Sequence, residues 1–70
     1  MKRISVASDM MNSVRYDSAS GILEVEFSSG SVYEYLDVPP DHYAALLVAT
    51  SKGRFFNART RGAFLFRRVA

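Results

Sequence analysis

The chain has 70 residues, no cysteine and no tryptophan, and a formal net charge of +2. That length makes one domain, here 1–70, which buries only about 60% of its unfolded surface. Disulfides and thiolate metal sites are excluded, and no apolar run approaches the ~20 residues of a membrane-spanning helix.

The core must therefore come largely from four tyrosines and five phenylalanines. Met1-Lys2-Arg3 is basic, but no signal-type apolar segment follows, so a cytoplasmic location is the default expectation. Lys2 to Ala7 alternates Ile4 and Val6 with Arg3, Ser5 and Ala7, the pattern of a short edge strand. Ser8-Asp9 is a turn signal, and Met10 and Met11 are expected core fillers. Asn12 to Tyr16 reads as a strand with Val14 and Tyr16 inward. Asp17-Ser18-Ala19-Ser20-Gly21 is a turn of residues that bond their own backbone.

The strongest signal is a hairpin: Ile22 to Phe27, a Ser28-Ser29-Gly30 loop, then Ser31 to Leu36. Leu23, Val25 and Phe27 alternate with Ile22, Glu24 and Glu26, as in a half-buried strand. A three-residue loop puts Gly30 in the left-handed position. Phe27 then faces Ser31, Val25 faces Tyr33 and Leu23 faces Tyr35, so both tyrosines join the apolar face. A two- or four-residue loop would place them with the glutamates. The three-residue register sets Glu24 opposite Glu34, a mildly unfavourable like-charge pair.

Asp37-Val38-Pro39-Pro40 ends the sheet, because proline cannot donate to a ladder. Pro40 suits the first position of a helix and Asp41 its positive end. Tyr43, Leu46, Leu47 and Thr50 recur at helical spacing as its buried stripe. Ser51 can cap a second short helix carrying Phe55 and Phe56. Gly53 either ends the first helix or lets backbones approach, and Gly62 ends the second segment. Phe64 and Phe66 alternate with Leu65 and Arg67 in a last strand. The expected fold is α+β: a small antiparallel β-meander with two short helices and a C-terminal strand.

Charge is unevenly spread. From Met1 to Ala45, Lys2, Arg3 and Arg15 stand against Asp9, Asp17, Glu24, Glu26, Glu34, Asp37 and Asp41, a net −4. From Leu46 to Ala70, Lys52, Arg54, Arg59, Arg61, Arg67 and Arg68 meet no acid, a net +6. Such a split points to a polyanionic partner, or else to pairing within the fold.

Several stretches together resemble the KTSC domain. They are Val14-Arg15-Tyr16-Asp17, Leu23 to Phe27, Ser29-Gly30, Tyr33-Glu34-Tyr35, Val38-Pro39, Ser51-Lys52-Gly53-Arg54-Phe55-Phe56-Asn57, Arg61-Gly62 and Arg67-Arg68. That family is named for the C-terminus of some lysyl-tRNA synthetases and also occurs as small stand-alone bacterial and phage proteins. The resemblance runs from about Val6 to Val69 and implies a small module associated with RNA. Where members often carry Tyr-Pro-Tyr near the end, this chain has Phe64-Leu65-Phe66, so two hydroxyls are lost.

No catalytic constellation is expected. His42 is the single histidine and reads as a helix surface residue rather than a catalyst or metal ligand. Glu24, Glu26 and Glu34 read as a solvated cluster, and Ser51-Lys52-Gly53 lacks the glycines of a phosphate loop. Neither enzyme activity, a cofactor nor a metal is expected. The candidate site is basic: Lys52, Arg54, Arg59, Arg61, Arg67 and Arg68 for nucleic-acid backbone, with Tyr33, Tyr35 and Phe55 as stacking platforms. Tyr33 and Tyr35 serve either there or in the core, and Arg54 or Arg59 has Asp37 or Asp41 as an alternative partner. The partner expected is tRNA or other structured RNA. The alternative is a protein-interaction domain that takes a peptide, a host protein or a second copy of itself.

Overall fold

The computed structural model describes residues 4–5 and 10–70. Five antiparallel strands form one sheet in chain order: β1 (Ile4–Ser5), β2 (Met11–Asp17), β3 (Ile22–Phe27), β4 (Val32–Tyr35) and β5 (Phe66–Arg68). Between β4 and β5 lie helix α1 (Pro40–Val48), helix α2 (Lys52–Phe55) and a π-helical turn (Phe56–Thr60). The strand expected over Lys2 to Ala7 is described only at Ile4 and Ser5, and the Ser8-Asp9 turn lies outside the described residues.

The hairpin has the three-residue register. Leu23 pairs with Tyr35, Val25 with Tyr33 and Glu24 with Glu34. The loop closes through Phe27 N–H to Ser31 O at 2.9 Å and Gly30 N–H to Phe27 O at 2.9 Å. Gly30 has φ +95°, which a side chain would disfavour. The like charges are relieved laterally. Arg15 of β2 lies across from Glu24, and Arg67 of β5 lies across from Glu34. The outer face thus carries the row Arg15–Glu24–Glu34–Arg67.

The inner face holds the core: Met11, Val14, Tyr16, Leu23, Val25 and Tyr35 from the sheet, with Val38, Leu46 and Phe56 from the cover. One sheet and one helical layer enclose it, as small α+β folds require. Asp37 turns the chain out of β4 in the left-handed region (φ +57°), which aspartate tolerates better than most residues. Pro40 then opens α1. Leu46 is the fully buried residue of that helix, with Tyr43 and Leu47 packed beside it. Thr50, expected on the buried stripe, is exposed because α1 stops at Val48. Gly53 therefore does not end α1; it lies inside α2.

Ser51 caps α2, its Oγ accepting from Arg54 N–H at 3.3 Å. The helix then widens: Arg61 N–H donates to Phe56 O at 2.8 Å, a π-type bond that turns both Phe56 and Thr60 into the interior. Phe64 precedes the last strand instead of joining it, and β5 is an edge strand whose Phe66 is exposed, as are Leu65 and Val69 on either side of it. No helix among the described residues is long and apolar enough to cross a membrane.

Candidate functional site

The six basic candidates do not form one patch. Lys52, Arg54, Arg59 and Arg61 follow the short run of α2 and the π turn. Lys52 Nζ donates to Ala49 O at 3.2 Å, tying back the end of α1. Arg54 and Arg59 are exposed, and neither side chain makes a hydrogen bond or ion pair. The alternative pairing with Asp37 or Asp41 is thus not formed. Arg61 donates to Asn57 Oδ1 at 3.4 Å.

Strand alternation separates the last two arginines. Arg68 lies across from Tyr33 on the inner face, its Nε donating to Ala70 O at 2.9 Å. Arg67 lies on the outer face, where its Nε and a terminal guanidinium nitrogen both meet Glu34 Oε1 at 2.8 Å. Arg67 is therefore engaged with an acid and is directed away from the others.

The stacking candidates separate too. Tyr33 and Tyr35 line a cleft of about 380 Å³ at one end of the inner face. Phe27, Phe56 and Phe66 complete its aromatic lining, and Arg61 and Gly62 also line it. The rings meet edge-on or tilted: Phe27–Tyr33 at 5.5 Å, Tyr35–Phe56 at 5.3 Å, and Phe66 against Tyr33 at 5.5 Å and Tyr35 at 5.6 Å. Tyr35 is only 4% exposed, yet its hydroxyl has no hydrogen-bond partner, and neither does that of Tyr33. Neither oxygen is sealed from solvent, because no buried side-chain polar atom among the described residues lacks a partner. Burial raises the Tyr35 phenol above its ordinary pKa, partly offset by the Arg61 guanidinium nearby.

Phe55 lies elsewhere. Its ring is 5.1 Å from that of His42, which also meets Phe64 at 4.9 Å. His42 is not simply a surface residue of α1. It is half-buried between these rings, and its Nε2 shares a 2.8 Å hydrogen bond with Oγ1 of the fully buried Thr60. Burial lowers its pKa; neighbouring Asp41 opposes that shift and Arg59 reinforces it. The signal for this placement was present: His42 stands four residues before Leu46, on the inward stripe of α1. The share of Arg61, Gly62 and Phe66 in the cleft had no such local signal.

The KTSC domain model matches residues 7–64. The chain belongs to the KTSC domain family. A crystal structure of a KTSC domain protein from Yersinia pestis superposes with a TM-score of 0.95 at 36% identity, covering 99% of this chain and 97% of that one. An uncharacterized protein of Stutzerimonas stutzeri is 53% identical over 57 residues, 81% of this chain and 80% of its own. A lysine–tRNA ligase of Nostoc punctiforme is 44% identical over 55 residues, 79% of this chain but only 10% of the ligase. The KTSC domain thus occurs both as most of a small protein and as a small part of a large one.

Proposed function

We propose that this KTSC domain is a non-enzymatic RNA-binding module, acting in the cytoplasm on tRNA or other structured RNA. The observation that carries the reading is the exposed basic run of α2 and the π turn. Arg54 and Arg59 stand there without an acidic partner, in a stretch from Leu46 to Ala70 that contains no acid. Arginine forks suit phosphate. The likeness to part of a lysine–tRNA ligase supports the same partner class. Lys52, Arg54, Arg59 and Arg61 supply the backbone contacts, with Arg68 at the neighbouring sheet edge.

Titration with RNA at several salt concentrations tests this. About three to five phosphate contacts on single-stranded RNA give a log–log slope of roughly −2 to −3.5. Replacing Arg54 and Arg59 together by glutamine lowers its magnitude by about 1 to 1.5, and weakens different RNA sequences about equally. No binding at low salt overturns the reading. A double variant that melts lower but binds RNA unchanged makes the two arginines structural.

One observation favours a second reading. Edge strand β5 exposes Phe66, and Leu65 and Val69 on either side of it are exposed too, a surface on which a protein partner could add a strand.

A further inference from the structure

We infer that the aromatic cleft holds one unstacked base of the bound RNA, with Arg61 on the adjoining phosphate. The inference rests on the RNA-binding reading and names the place where a base is held, which the phosphate contacts alone leave open.

Four features converge on this occupant. The cleft, at about 380 Å³, falls in the range of small-ligand sites. Its walls are aromatic and in part accessible: Phe66 is 56% exposed, and Tyr33 is half-buried beside it. A planar base gains by stacking on such rings, whatever its identity.

The second feature is polar. A hydroxyl that reaches solvent and has no partner in the protein stays free to bond a ligand. Tyr33 and Tyr35 both leave theirs unbonded at the cleft. Each phenol can donate and accept, as the edge of a base requires. Burial raises the pKa of the Tyr35 phenol, the Arg61 guanidinium opposes that shift and the Tyr33 phenol adds to it.

Third, the formal charge lining the cleft is of one sign. No acid is among its described lining residues, and Arg61 is its one described cation. Fourth, a second groove among the described residues has the opposite character. It lies on the outer face, lined by Arg15, Asp17, Ser20, Ile22, Glu24 and Glu34. A phosphate would be repelled there. The base-and-phosphate chemistry of a nucleotide matches the aromatic cleft and not the acidic groove.

The test uses the full chain and a short single-stranded oligouridine, with inorganic polyphosphate as a probe that has charge but no base. Three variants are compared: Tyr33→Phe with Tyr35→Phe, Arg61→Gln, and Arg54→Gln with Arg59→Gln. The phenylalanine pair keeps the rings and should melt like the wild type. It should weaken oligouridine about tenfold while leaving the salt slope and polyphosphate binding unchanged. Arg61→Gln should lower the magnitude of the slope by about 0.7. By NMR, oligouridine should move the ring resonances of Tyr33, Tyr35 and Phe66 and leave those of Tyr16 and Tyr43 in place. If the wild type binds RNA and Arg54→Gln with Arg59→Gln weakens it, yet the phenylalanine pair binds as before and the cleft resonances stay still, the cleft takes no base. The RNA-binding reading then stands without it. If the cleft resonances move only with a peptide bearing an aromatic side chain, a protein is the occupant and the inference fails. If the wild type binds no RNA at low salt, the inference falls with the reading on which it rests.

Discussion

Tyr16 and Tyr35 are the two most buried tyrosines, and they lie on the same face of the same sheet. Tyr16 stacks on Tyr43 at 4.7 Å, and its hydroxyl donates to Val38 O at 2.6 Å. That bond ties β2 to the segment that leaves the sheet. Tyr35 sits among Phe56, Phe66 and Tyr33, with its hydroxyl left unbonded at a cleft. One phenol is fully used in holding the fold together; the other holds its ring in place and keeps a polar group in reserve. Burial alone therefore does not separate a tyrosine whose hydroxyl is spent within the fold from one whose hydroxyl is left unbonded at a cleft. The hydroxyl's partner does.

The largest break in this comparison removes the floor the cleft shares with the core. Phe56 is 1% exposed and meets both Phe27 and Tyr35. Phe56→Ala should cost about 3–5 kcal/mol, enough to unfold much of so small a domain. Chemical denaturation measures this, and a loss under about 1 kcal/mol would remove Phe56 from that role.

The hydroxyls themselves come next. Tyr16→Phe leaves the buried Val38 carbonyl short of a donor and should cost about 1–2 kcal/mol. Tyr35→Phe removes a group with no protein partner and should change stability by less than about 0.5 kcal/mol. Equal midpoint shifts for the two variants would erase the distinction.

Gly30 fixes which tyrosines face inward. Gly30→Val meets no steric neighbour, so its cost is conformational, roughly 1–2 kcal/mol from a β-branched residue at φ +95°. An unchanged midpoint would show that the loop relaxes to another turn without loss.

A smaller effect is expected on the outer face. Arg67 pairs with Glu34 while its side chain stays 61% exposed, so Arg67→Ala should cost no more than about 1 kcal/mol, and less at high salt. A salt-independent loss would point to packing of the arginine stem instead.

The smallest effect concerns pH. Burial holds the His42 pKa below its ordinary 6.5. Between the folded and unfolded values the unfolded chain binds more protons, so stability rises with pH through that window. It should decline as pH falls below about 6.5 and level off once pH passes the folded value. His42→Gln should flatten this dependence in thermal melts; a slope that persists belongs to other groups.

Much of the frame was legible from residues close together in the chain. Alternation around Ser28-Ser29-Gly30 predicts the register that sets Leu23 against Tyr35 and Val25 against Tyr33, and the left-handed Gly30. Pro40 marks the start of α1 and Ser51 the cap of α2. Thr50 shows the limit of periodicity, since it continues the stripe in sequence after the helix has ended. The basic run of α2 and the π turn was legible as composition, but its division among faces was not.

The sequence by itself determined the turns, caps, strand faces and charge imbalance, because each depends on backbone preferences and periodicities acting over a few residues. Only the tertiary structure decided which side chains meet. Pairing β5 with β4 puts Arg67 on Glu34, 33 residues away, and places Phe66 beside Tyr33 and Tyr35. Folding the π turn over the sheet brings Arg61 to the cleft and Thr60 to His42. These meetings depend on how segments distant in the chain come together, and no spacing within any one of them encodes the encounter.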